Sequence, residues 1–240
     1  MPTKHFLTLL DFERSELDAM LSSAAELKEA WRKGDRSEPL AGQVLGVIFH
    51  KPSLRTRISF EVGMRQLGGS SLYITDAEIG FGKREAIKDI GQVLSRFLSG
   101  IMIRTFDHAN VEKLAGAAEI PVINGLTDWT HPCQIMADLL TIREHGRDLD
   151  GLTLTYIGDG NNVTNSWIHA TKAFGIDLRV ACPQGYEPSA ESIRRTAGEA
   201  RGSVRIVHDP REALEGAQVV YTDTWTSMGQ EAEADKRRAS

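Results

Sequence analysis

Apolar positions along the chain change period repeatedly, and each change marks an element. Leu17, Met20, Leu21, Ala24 and Leu27 share one helical face of residues 17–31, which stop at Gly34. Residues 44–49 are an apolar run that predicts a buried strand. A helical period returns with Phe60, Met64 and Leu67 and is broken by Gly68-Gly69. Further strands are predicted at 71–75, 101–103, 121–123, 152–157, 178–181, 204–207 and 219–221. Helical patterns occupy 87–97, 111–118, 135–144 and a stretch ending at Gly175. Residues 76–84 are too irregular for a core element and read as a solvated connection. This alternation predicts an α/β protein with parallel sheets. Gly146 and Gly151 bracket a hinge, so two domains are expected, 1–145 and 146–240, each a parallel sheet flanked by helices. Helix 135–144 would bridge them.

Composition changes this picture little. The chain has 240 residues, enough for one large core or two medium ones, and its 41% hydrophobic and 25% charged residues are ordinary for a globular protein. A net charge of −5 gives no general reason to bind nucleic acid or an anionic membrane, so an anion site needs a local concentration of arginine. No apolar run approaches a membrane span and the first ten residues lack a cleavage-site pattern, which reads as cytoplasmic. Cys133 and Cys182 lie in different segments without metal-ligand spacing, so neither a disulfide staple nor a zinc site is expected.

Candidate chemistry gathers at strand ends. Lys51-Pro52-Ser53-Leu54-Arg55-Thr56-Arg57 turns from the 44–49 strand into a helix, where unpartnered amides, the helix dipole, two guanidinium groups and two hydroxyls favour a small dianion such as phosphate. For an isolated Ser-x-Arg-Thr-Arg, a capped helix with solvated arginines is the ordinary reading; the position after a buried strand favours a ligand. Arg104 ends another strand, and His131 and Gln134 flank Pro132 at a helix start, all convergent in an open α/β sheet. In the second half, Gly158-Asp159-Gly160 opens a dinucleotide fingerprint, but Val163 replaces its third glycine. The asparagines 161, 162 and 165 instead suit a zwitterionic amino acid, and Asp223, ending the last strand, suits an amine.

These motifs resemble those of the aspartate/ornithine carbamoyltransferase family, in its ornithine branch, over essentially the whole chain. Ser53-Leu54-Arg55-Thr56-Arg57 resembles its carbamoyl-phosphate motif, His131-Pro132-Cys133-Gln134 its second motif, and Asp223-x-Trp225-x-Ser227-Met228-Gly229 its ornithine loop. The resemblance implies that Ser53, Leu54, Arg55, Thr56, Arg57, Arg104, His131 and Gln134 bind carbamoyl phosphate, and that Asn162, Asp223, Ser227 and Met228 bind L-ornithine. Thr56, Arg104 and His131 would stabilise charge on the carbonyl oxygen while Asp223 orients the attacking amine. It further implies a homotrimer, arginine biosynthesis or breakdown, and no cofactor or metal. The chain departs from the pattern at Leu54, where Thr is usual, and at Gly80, where some members carry Gln. A C-terminal portion with a Cys-containing loop is expected to be missing, which keeps a truncated, non-catalytic relative as the alternative.

Overall fold

The protein is described by a computed structural model covering residues 3–82, 84–198 and 200–224. The first of its two compact units carries α1 (Arg14–Arg32) from Asp18 onward, β1 (Val44–Phe49), α2 (Leu54–Gln66), β2 (Ser70–Thr75), α3 (Asp76–Ile79), α4 (Ile87–Leu94), β3 (Gly100–Arg104), α5 (His108–Ala117) and β4 (Val122–Leu126). Its sheet is parallel, in the order β2-β1-β3-β4. The chain leaves β1 for one neighbour and returns to place β3 on the other side, so the switch point of the sheet lies between β1 and β3.

Both faces of this sheet are covered, which is why its strands read as apolar runs rather than as alternation. Leu45, Val47, Phe49 and Met102 pack with Phe60 and Met64 of α2, while Ile48, Ile101 and Ile103 pack with Ile90, Val111 and Leu114 of α4 and α5. Each fully buried side chain of this kind stabilises the fold by about 1.5–3 kcal/mol. Pairing continues past β1, where His50 N–H donates to Arg104 C=O at 2.9 Å. The ends of β1 and β3 are thereby held side by side.

Two differences from the expected elements have local causes. Residues 76–79, read as part of a loop, form α3: Thr75 N–H and Oγ1–H both donate to the Glu78 carboxylate, at 2.7 and 2.8 Å. Gly80 ends that turn at φ 58°, and a Cβ there would lie 2.7 Å from Arg84 Cβ, so glycine answers a local steric demand. The 121–123 strand runs on to Leu126 because β4 slips register against β3 at Gly125, where a Cβ would meet Met102 Sδ at 2.4 Å.

The second unit carries α6 (Pro132–Glu144) from Gln134 onward, β5 (Thr153–Ile157), α7 (Asn162–Ala173), β6 (Asp177–Ala181), α8 (Ala190–Thr196), β7 (Ser203–Val207), α9 (Pro210–Leu214) and β8 (Val219–Thr222). Its parallel sheet has the order β7-β6-β5-β8, with the switch point between β5 and β8. Residues 12–17 also belong to this unit: Arg14 pairs with Asp150 at 2.9 Å and lies 4.5 Å from the centroid of the Phe174 ring. The division between units falls after Cys133, at the start of the expected bridging helix.

Candidate functional site

Each switch point gathers part of the expected site. In the first unit Ser53 caps α2 from extended backbone, its Oγ accepting from Thr56 N–H at 3.4 Å and donating to Thr56 Oγ1 at 3.0 Å. The first intrahelical bond runs from Arg57 N–H to Ser53 C=O at 3.1 Å, so the amides of Leu54 and Arg55 precede it. Leu54 is 74% exposed, which leaves its backbone N–H as the group it can offer.

Arg104, buried at the end of β3, reaches across the switch point and donates from Nη1 to Thr56 Oγ1 at 3.4 Å. Burial lowers its pKa, and the nearby Arg55 charge lowers it further. Burial, and secondarily the Arg104 charge, lowers the His131 pKa to about 4. At neutral pH His131 is therefore an uncharged imidazole able to donate one hydrogen bond. The Arg55 charge disfavours that of Arg104, and Arg104 disfavours protonation of His131, an arrangement that a dianion would relieve.

The loop that delivers His131 is tied down by hydrogen bonds. Asn124 Nδ2–H donates to Thr130 Oγ1 and to Leu7 C=O, both at 3.0 Å, and Thr127 N–H donates to Thr130 C=O at 2.9 Å. The His108 ring stands edge-on to Trp129, with centroids 4.7 Å apart. Cys133 Sγ–H donates to Asn124 C=O at 3.3 Å, and burial pushes its thiol pKa up to about 12, which makes it a packing residue.

Arg57 is held elsewhere. Its Nε–H donates to Glu61 at 2.8 Å, and its guanidinium lies 3.8 Å from the Tyr73 ring centroid. Lys51, not among the expected site residues, is buried; its ammonium pairs with Asp128 and lies 4.4 Å from the Phe106 ring centroid. That pairing ties the β1–α2 turn to the β4–α6 loop, so the two segments bearing Ser53 and His131 are clamped together.

In the second unit the β5 and β8 ends meet through Asn161, one of the three asparagines read as suited to an amino acid. Its Oδ1 caps α7 by accepting from Val163 N–H at 2.9 Å and Thr164 N–H at 3.1 Å, while its Nδ2–H donates to Asp223 Oδ2 at 2.9 Å. Asp223 Oδ1 accepts from Thr224 N–H at 2.7 Å, so both carboxylate oxygens are engaged. An Asn before a helical run signals a cap, but its second bond is tertiary and has no local signature. Asn162 occupies the first turn of α7. Gly160 is glycine because residues 187 and 188 pack on it: a Cβ would lie 2.1 Å from Pro188 N. Gln134 donates from Nε2 to Asp138 Oδ1 at 3.0 Å. Ser227 and Met228 lie outside the described residues. Among the described residues no cluster of His, Cys, Asp and Glu could hold a metal ion, and no helix is long and apolar enough to cross a membrane.

Comparison with known proteins covers both units. The family model for the aspartate/ornithine carbamoyltransferase carbamoyl-P binding domain matches residues 4–144, and that for the Asp/Orn binding domain matches residues 150–240. The chain is 51% identical over 234 residues to an ornithine carbamoyltransferase of Pelobacter propionicus, covering 98% of this chain and 77% of that protein. It is 48% identical over 239 residues to an anabolic ornithine carbamoyltransferase of Pseudomonas aeruginosa, covering 100% and 77%. The solved ornithine carbamoyltransferase from Pyrococcus furiosus superposes with a TM-score of 0.93 at 44% identity, covering 98% of this chain and 76% of that one.

Proposed function

This chain belongs to the aspartate/ornithine carbamoyltransferase family, and we propose that it transfers the carbamoyl group of carbamoyl phosphate to the δ-amine of L-ornithine, giving L-citrulline and phosphate. The observation that carries this reading is the convergence of Arg55, Arg104 and His131 on the Ser53-capped turn at the switch point of the first sheet. Relatives named for ornithine at about half identity over nearly the whole chain support the choice of acceptor.

The phosphate of carbamoyl phosphate sits on the helix amides with Ser53, Arg55 and Thr56, and Arg57 joins them if it exchanges Glu61 for the ligand. The neutral δ-amine attacks the carbonyl carbon, and charge develops on the carbonyl oxygen. Thr56, Arg104 and neutral His131 donate hydrogen bonds to that oxygen, each worth about 3 kcal/mol in a preorganised site. Collapse breaks the carbon–oxygen bond to phosphate, and the departing phosphate takes the proton released by the amine. Gln134 reads the carbamoyl group, and Asn162 and Asp223 hold ornithine together with Ser227 and Met228. Residues 1–145 thus serve carbamoyl phosphate and residues 146–240 ornithine, a division supported by the matched ranges.

A homotrimer is part of this reading. α2 buries none of its residues, and Leu54, Ile58 and Val62 form an apolar stripe at i, i+4 and i+8 that a second copy would cover. Arginine biosynthesis in the cytoplasm is the corresponding physiological role, supported by the anabolic relative. The test is incubation with carbamoyl phosphate and L-ornithine: citrulline and phosphate should appear in equal amounts, and phosphate without citrulline would overturn the assignment.

A further inference from the structure

Gln134 and Asp138 stand one turn apart on α6, joined by the bond from Gln134 Nε2–H to Asp138 Oδ1 at 3.0 Å. An ionised carboxylate only accepts hydrogen bonds, so it selects the amide orientation that turns Nε2 toward itself and leaves Oε1 as the outward group. That outward group is an acceptor. In carbamoyl phosphate the phosphate and carbonyl oxygens accept, and the NH2 group is the donor.

We propose that Asp138 is a positioning residue that locks the Gln134 amide with its oxygen outward, so that the site selects the carbamoyl NH2 over an acyl phosphate of similar shape lacking that donor. The inference rests on Gln134 reading the carbamoyl group, as proposed above. Acetyl phosphate, with a methyl in place of NH2, is the discriminating probe. A site built to hydrogen-bond a substrate group rejects an analogue without it, because its own polar atom is left unpaired.

The surroundings of Asp138 make the lock sensitive to pH. The carboxyl is faced by Gln134 on its own helix, by Tyr221 from β8 and by Asp223 just beyond; Tyr156 stacks on Tyr221 with centroids 5.7 Å apart. Burial pushes the Asp138 pKa up to about 6, against the pull of the Tyr221 hydroxyl and the Gln134 amide, and the Asp223 charge adds to the rise. Once protonated, Asp138 carries an O–H that can donate to the Gln134 oxygen. The amide then turns either way, and selection weakens.

Calorimetric affinities for carbamoyl phosphate and acetyl phosphate test this in the wild type, in Asp138→Asn and in Gln134→Ala, from about pH 7.5 down to about pH 5. A carboxamide in place of the carboxylate both donates and accepts, so it holds the Gln134 amide in either orientation. Asp138→Asn should therefore cut the preference for carbamoyl phosphate about tenfold, with acetyl phosphate affinity nearly unchanged. The wild-type preference should fall through about pH 6 toward that of Asp138→Asn, whose own preference stays flat. Gln134→Ala, which removes the reading group itself, should show the same loss of preference at every pH. Comparing two acyl phosphates cancels the titration of the ligands themselves. An unchanged preference in Asp138→Asn, an equal loss for both ligands, or a flat wild-type profile overturns the proposal; the wild-type pH series decides alone if the variant does not fold. A wild type that binds neither ligand overturns instead the carbamoyl-phosphate assignment beneath it.

Discussion

Two helices open the two half-sites, and they are anchored in opposite ways. α2 starts at the anion turn and buries none of its residues, whereas α7 starts at Asn161 and buries ten of its twelve. The side chains differ accordingly. Around α2 the arginines are cationic and mutually repelling, held by long reaches such as Arg104 to Thr56; at α7 neutral Asn161 caps the helix and holds the Asp223 carboxylate, and Trp167, Tyr156 and Tyr221 pack together. A half-site built from like charges on a thinly packed helix gains most from its ligand, because the dianion removes the repulsion between them. The other is preformed, so its ligand meets fixed partners.

The largest expected effect attacks the packed helix. Trp167 is fully buried, so Trp167→Ala should cost about 3–5 kcal/mol of stability by denaturant titration, whereas exposed Ile58→Ala on α2 should stay within about 0.5 kcal/mol at dilutions where the proposed trimer is dissociated. Similar losses would erase the contrast. Next comes the charged half: Arg104→Leu should lower kcat/KM for citrulline formation by about 10²–10³ while leaving the thermal midpoint nearly unchanged. Arg57→Ala should have the smaller effect of the two arginines, since its guanidinium already has Glu61 and Tyr73 as partners.

Acid should act through His131. Its folded pKa of about 4 lies below the unfolded value of 6.5, so above about pH 6.5 both states are neutral and nothing is lost. As pH falls from 6.5 toward 4 the unfolded chain takes up the proton first, and up to about 3 kcal/mol of stability disappears. His131→Gln should flatten that part of the stability profile, and an unchanged slope would contradict the buried neutral imidazole. A smaller effect belongs to Asn161→Ala, which removes the α7 cap at a cost of about 1 kcal/mol and raises KM for ornithine by releasing Asp223.

Much of this contrast was legible from residue order. The 44–49 run, the Ser53 turn, Arg104 at a strand end and Pro132 at a helix start follow from local rules of period and capping, and each stands where those rules predict. What escaped depends on partners distant in sequence. The Lys51 pairing with Asp128 and the Asn161 bond to Asp223 are tertiary, and Arg57 turns to Tyr73 across the α2–β2 connection. α3 is too short to show a period, and Gly160 makes room for residues 187 and 188, which resembles a phosphate loop until the packing is seen.

Hydrogen exchange resolved to single helices tests the contrast between the two half-sites most directly. In the ligand-free protein the amides of α2 should exchange well before those of α7, and carbamoyl phosphate should slow residues 54–57 strongly while leaving α7 unchanged. Equal protection of the two helices without ligand, or no response of α2 to carbamoyl phosphate, would contradict a charge-built anion half and a preformed amine half.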